Sequence, residues 1–281
     1  MTTKVVKGSP SPAGDPGAPN QQPSEETPFE AFAGLCTVLV VGLFVLTFLA
    51  QNFAIPSGSM KNTLLVGDHL LVDRITFAPI SKWMPLVRYR EPKRGDVVVF
   101  RRPAPEPEPD ADGNPQHLIL VKRLIGIPGD HIRLRGGIVY INGVAQNAPT
   151  QALDTPVASE IERPYLDEFP SVVPTPEDTH GAVTTWTVEL PTLLENGELV
   201  VPPGKYFMMG DHRHGSYDSR FWGLVPRENI IGRPIFNYWS FDTPDDQEGK
   251  KGMANAVGWM GHVALHFFTD TRWKRTLMRI Q

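Results

Sequence analysis

Apolar and polar positions alternate with a period of two through the body of this chain. HLLVDRI (69–75), DVVVFRR (96–102), LILVKRLIG (118–126), HIRLRGG (131–137), IVYINGV (138–144), VTTWTVEL (183–190) and KYFMMGD (205–211) are rich in β-branched or aromatic residues. Each such run predicts a strand. Gly136-Gly137 and Asn142-Gly143 stand between or at the ends of these runs and predict hairpin turns. No repeated helix–strand alternation occurs, so a parallel α/β sheet is not expected. The expected class is all-β, with a mainly antiparallel body.

Two stretches depart from this period. From Ala31 to Met60 there is no charged residue, and Ala31–Ala50 is almost continuously apolar. As a helix, twenty residues reach about 30 Å, the thickness of a bilayer core. This predicts one N-terminal transmembrane helix, with the anchor spanning 31–54. A cleaved signal peptide fits less well, because it has a basic start and a shorter apolar stretch; here the first thirty residues carry Lys4 and Lys7 against Asp15, Glu25, Glu26 and Glu30. At the other end, GWMGHVALHFF (258–268) is too short to span. TRWKRTLMRIQ (271–281) puts Trp273, Leu277 and Ile280 on one helical face among Arg272, Lys274, Arg275 and Arg279. That predicts a short basic C-terminal helix, on a membrane surface or packed on the body.

Composition locates the variable parts. Of 281 residues 28 are proline, and 17 of these fall in 1–30, 103–115 and 149–176. The organisation read from this is a disordered tail (1–30), the anchor (31–54) and a β core (55–139 and 200–245). An inserted irregular or β subdomain (140–199) and the basic C-terminal segment (246–281) complete it. One cysteine excludes an intramolecular disulfide framework and a cysteine-based zinc site. A net charge of −4 without a basic block argues against nucleic acid as a partner.

The segment leaving the anchor, Ile55-Pro56-Ser57-Gly58-Ser59-Met60, offers two hydroxyls at the membrane surface. Serine needs a base to become a nucleophile. With eight histidines in the chain, a histidine base is open. So is a lysine: Lys122 lies among apolar residues, and burial lowers a lysine's pKa. The pair His212-x-His214 beside Asp211 has a spacing a metal can use, and His262 and His266 stand at i, i+4 with no third ligand nearby in sequence; all read as ordinary polar positions, and no metal or cofactor is expected.

IPSGSMKNTLLVGDHLLVDR, RGDVVVF (94–100), VKRLIGIPGD (121–130) and GDHRHGSYDSRFWGLVP (210–226) together resemble bacterial type I signal peptidase, in that family's order. The resemblance implies a serine endopeptidase with Ser59 as nucleophile and Lys122 as general base. Ser57 would join the Ser59 N–H in an oxyanion hole, and Ser216 would hydrogen-bond the lysine. Asp218 and Arg220 would form a structural ion pair below the site. Ile55, Pro56, Met60, Leu64, Leu120 and Val121 would line pockets admitting only small side chains, so that secretory precursors are cut after Ala-x-Ala. It further implies a single-pass protein of the cytoplasmic (inner) membrane, in contact with membrane lipids, its catalytic body on the non-cytoplasmic side. The family commonly has GDNRDNSxDSR where this chain has GDHRHGSYDSR, so His212 replaces an asparagine and His214-Gly215 replace Asp-Asn. Rival readings are a Ser–Lys peptidase with another substrate, a metallohydrolase using His212 and His214, and a catalytically decayed, membrane-tethered binding domain.

Overall fold

A computed structural model describes residues 27–61, 63–80, 88–103, 108–109, 115–116, 118–146, 164–172, 184–244 and 252–280. The proline-rich tail, most of the 103–116 loop and most of 146–181 lie outside them. The chain divides into two compact units, Met1–Leu43 and Phe44–Gln281.

The first unit's described element is the helix α1 (Pro28–Phe44). Its start is a capping box: the Thr27 N–H donates to Glu30 Oε2 at 2.8 Å, and the Glu30 N–H donates to Thr27 Oγ1 at 3.3 Å. Proline at the first helical position suits a site whose N–H has no partner in any case. Beyond Glu30 the helix is uncharged, and none of its side chains is buried. Its 17 residues make about 26 Å of axis, and a π-helical turn, Val45–Leu49, follows. Among the described residues no helix is long and apolar enough to cross a membrane. Residues 50–54, expected at the end of the anchor, instead form a strand of the second unit.

That unit contains β1 (Ala50–Ala54), β2 (Asp68–Asp73), β3 (Val97–Arg101), the two-residue strands β4 (Glu108–Pro109) and β5 (Pro115–Gln116), β6 (Ile119–Gly126), β7 (His131–Arg135), β8 (Ile138–Ile141) and β9 (Val144–Ala145). Next come α2 (Pro164–Asp167), α3 (Thr184–Glu189), β10 (Leu194–Glu195), β11 (Glu198–Val200) and β12 (Lys205–Met209). The chain ends through α4 (Ser219–Trp222), β13 (Val225–Pro226), β14 (Ile230–Ser240), α5 (Met253–Asp270) and β15 (Met278–Arg279). All described strand pairs are antiparallel, as the alternation predicts. The larger sheet runs β1-β2-β14-β3-β6-β12-β13, with β15 beside β14, and a second sheet runs β10-β11-β7-β8-β9. Asn142 and Gly143 both have positive φ, 52° and 78°, in the turn between β8 and β9; this is the backbone that an Asn-Gly hairpin turn requires.

Three expectations change. VTTWTVEL is not a strand but contains α3, because Trp186 and Leu190, one turn apart, are both buried while Val188 is 72% exposed. The second sheet begins at β7 rather than at residue 140, since β7 and β8 form one hairpin. Residues 271–280 are not an amphipathic helix: the C-terminal helix is α5, and after it come a 3-10 turn, Trp273–Arg275, and β15. Ile280 is buried with Met60, Leu64, Val97 and Val99.

Candidate active site

Ser59 sits within a 3-10 turn, Gly58–Met60, entered from Ser57 in extended backbone (φ −133°, ψ 154°). The Lys61 N–H donates to Gly58 O at 2.9 Å and the Leu64 N–H to Met60 O at 2.8 Å. Met60 and Leu64 then drop into a core with Leu70 and Val72 of β2 and Val97 and Val99 of β3. Apolar residues on either side of one serine thus fasten the turn to the sheet while leaving Ser59 itself half-buried.

Lys122 stands mid-strand on β6, paired with Val98 of β3. Strand alternation gives Leu120 and Leu124 the same face, and both pack in the cluster that holds Val98 and Phe100. Val121 turns the other way, toward Ile55 and Met60. Lys122 is only 3% exposed, and its Nζ lies 2.5 Å from Ser59 Oγ. Burial pulls the amine's pKa from 10.5 down to about 8; the Asp218 and Asp211 charges oppose that fall, and Arg220 adds to it. An amine poised there is neutral in a sizeable fraction of molecules near pH 8, and a neutral amine accepts the proton of a neighbouring hydroxyl.

The loop after β12 holds both groups in place. The His212 N–H donates to Ser59 O at 3.1 Å, and His212 Nδ1 lies 3.3 Å from Gly58 O. A side chain at Gly215 would put its Cβ 2.3 Å from the His212 ring, so the imidazole occupies space that glycine leaves open. Gly210 is equally confined: a Cβ there would lie 2.2 Å from Ser216 Oγ and 2.4 Å from Ser59 O. Gly210→Ala is therefore expected to push the serine turn away from Lys122 and to lower kcat about 100-fold. A cleavage assay beside a circular-dichroism spectrum of native shape checks this.

Two buried ion pairs brace the loop. Arg220 donates from Nε and Nη2 to Asp218 at 2.9 Å each, and Asp218 Oδ2 accepts the Gly210 N–H at 3.0 Å. Arg220 also donates to Leu166 O and Arg213 O. Burial alone would raise the Asp218 carboxyl; the Arg220 charge and hydrogen bonds, with Lys122 behind them, outweigh it and hold the pKa below the ordinary range. Arg123, next to Lys122, donates from Nε and Nη2 to Asp211 at 2.7 Å each, and Thr63 Oγ1 donates to the same carboxylate at 2.5 Å. This second pair was not singled out in the sequence, although an arginine inside an apolar strand is a signal of a buried partner. Arg275 was also missed: it donates to Thr63 O at 2.9 Å and to the buried Asp68 at 2.5 Å, clamping the loop beyond the serine turn.

Ser59, Lys122, Asp218 and Arg220 thus come together around Gly210. The hydrogen bond from Ser216 to the lysine is not formed, and the buried Ser216 Oγ has no partner among the described residues. Ser57 and Pro56 are exposed, Ile55 is buried, and Leu120 and Val121 are half-buried on opposite faces of β6. Met60 and Leu64 are 1% and 0% exposed and underlie the serine turn as core. His212 and His214 have different partners, Gly58 O and Asp167, and do not face a common ligand.

A serine hydroxyl against a desolvated amine on an antiparallel sheet is the equipment of a hydrolase of the serine peptidase class. The family described as "Signal peptidase, peptidase S26" matches residues 29–239, and the chain belongs to it. It is a peptidase acting on secreted preproteins that carry signal peptides. Similar proteins include the probable signal peptidase I-2 of Synechocystis sp., 30% identical over 78% of this chain and 77% of that protein. The signal peptidase I of Leptolyngbya laminosa is 31% identical over 82% and 90%, and that of Pseudomonas fluorescens is 33% identical over 74% and 71%.

Proposed function

We propose that this peptidase works by a Ser59–Lys122 dyad and cuts signal peptides after small residues in an Ala-x-Ala pattern. The observation that carries the reading is the 2.5 Å contact between Ser59 Oγ and a buried amine whose pKa falls to about 8. Neutral Lys122 accepts the serine proton as Oγ attacks the scissile carbonyl carbon. The tetrahedral oxyanion takes hydrogen bonds from the Ser59 N–H and the Ser57 hydroxyl, donors set where negative charge develops. Its collapse breaks the C–N bond, and the lysine ammonium gives its proton to the leaving amine. Lys122 then takes a proton from water, which hydrolyses the acyl-serine ester and frees Ser59. Ser216 Oγ, buried and without a partner among the described residues, is the group we assign to take a hydrogen bond to the amine during the reaction, a bond that the structure itself does not hold.

Small side chains at −1 and −3 would be selected by a shallow apolar surface around Ile55, Pro56 and Val121, with Met60 and Leu64 as its floor; Leu120 faces the other side of β6. We further assign residues 31–49 as the anchor in a cytoplasmic membrane, with the catalytic unit on the non-cytoplasmic side. Support comes from α1, uncharged beyond Glu30, whose apolar side chains such as Val38, Val40 and Leu43 are 64–70% exposed.

The test offers the full chain in detergent two precursors, with alanine or phenylalanine at −1, between pH 6 and 10. Cleavage of the alanine form should rise with pH through an apparent pKa of about 8, as Lys122 loses its proton. The phenylalanine form should be cut at least about 100-fold more slowly. A flat profile over this range would remove the lysine base, and equal rates would remove the small-residue specificity. No cleavage by the unaltered chain would leave a decayed binding domain.

A further inference from the structure

Away from the serine turn, α5 gathers three metal-ligating side chains on one face. His262, His266 and Asp270 stand at i, i+4 and i+8, and their ligand atoms all lie within 4.8 Å of one another. Asp270 is the third ligand that adjacency in sequence did not suggest. The two imidazoles stack with centroids 4.3 Å apart, and His262 Nε2 lies 3.5 Å from Asp270 Oδ2. His266 Nδ1 lies 3.0 Å from His262 O. A carbonyl only accepts, so Nδ1 carries the hydrogen and Nε2 keeps its lone pair. A ligating histidine is oriented in the same way by a hydrogen bond from its other nitrogen. The His262 ring is fixed in turn, stacked on Trp259 and edge-on to Phe241.

We propose that His262, His266 and Asp270 bind one divalent transition-metal ion of the zinc type. Two imidazoles and a carboxylate favour a borderline cation over calcium or magnesium, which take oxygen. Ligands at about 2.1 Å from a tetrahedral ion stand roughly 3.4 Å apart. The trio therefore closes by about an ångström, through side-chain rotations that its exposed or half-buried positions permit. Water fills the remaining position. The site lies in the last turns of the helix, where the backbone dipole favours a cation. Just beyond it the Asp242 N–H donates to Asp270 O at 2.8 Å and Thr271 bridges to Phe241. The ion therefore staples the end of α5 where the chain returns to the sheet. Its role is structural and does not depend on the dyad.

The test titrates zinc into the chelator-treated full chain in detergent by calorimetry. Cobalt serves as a spectroscopic substitute, and melting is followed with and without metal. One ion per chain is expected, with a tetrahedral cobalt spectrum and a higher Tm. The double variant His262→Ala/His266→Ala should lose saturable binding and the Tm rise, and Asp270→Asn should weaken binding about tenfold. The exposed His266→Gln alone should weaken it similarly while keeping the metal-free Tm and the precursor cleavage rate, which separates ligand loss from misfolding. No saturable binding by the parent chain, or binding that His266→Gln and the double variant leave unchanged, overturns the proposal.

Discussion

Ser59→Ala and Lys122→Met are each expected to lower kcat for signal-peptide cleavage by about 10⁴-fold or more, and the double variant to lose no more than either single one. On the proposed dyad the two side chains act as one unit: without the amine the hydroxyl would keep its proton, and without the hydroxyl the amine would have nothing to activate. Stability should move the opposite way for the lysine. Lys122 is 3% exposed, and lowering its pKa from 10.5 to about 8 means that carrying the charge there at neutral pH costs about 3 kcal/mol. In the unfolded chain the same amine stays protonated until about pH 10.4, so native stability rises with pH between the two values. Lys122→Met removes that dependence and should raise Tm at pH 7, by an amount calorimetry reads directly. A variant that is inactive yet more stable would place the cost of the charge at the site. An active Lys122→Met would end the dyad.

The second large effect concerns the Asp218–Arg220 pair. Both side chains are essentially fully buried, and removing one partner strands the other. Arg220→Met and Asp218→Asn should each cost about 3–5 kcal/mol, a fall in Tm of roughly 10 °C. Asp218 is held below the ordinary carboxylate range, so its stabilisation is complete at neutral pH. It is lost as pH falls below about 4 and through the lowered value. The same variants should shift the acid limb of the rate profile in opposite directions. Asp218's charge raises the lysine's pKa and Arg220's lowers it. Asp218→Asn therefore carries the limb below pH 8, and Arg220→Met carries it above. Loosened packing alone lowers kcat in both variants but does not split the limbs.

Strands with regular alternation (β2, β7 and β8) or with continuous runs of β-branched, aromatic and other apolar residues (β3, β6 and β12) were legible in the sequence. The longest, β14, was not, because its pairing slips at Pro234/Phe236 and Asn237/Trp239 and each slip restarts the inside–outside count. α3 was misread because its buried pair, Trp186 and Leu190, also fits a period of two. At the site, Ser59 and Lys122 are 63 positions apart, and no local pattern pairs them; resemblance did. The clamp by Arg275 was hidden for another reason. Four basic residues near the end read as a charged helix face, whereas the 3-10 turn Trp273–Arg275 ahead of β15 directs Arg275 onto Asp68 and Thr63.

The His212 ring and the bare Cα of Gly215 occupy one volume between them. In the signal peptidases that this loop resembles, both positions commonly hold asparagine. Passage from that loop to this one then has a direction: glycine at 215 has to arrive before, or together with, the imidazole at 212. Grafting the imidazole alone into a related enzyme that keeps a side chain at 215 therefore transfers a clash, whereas the glycine alone only leaves space.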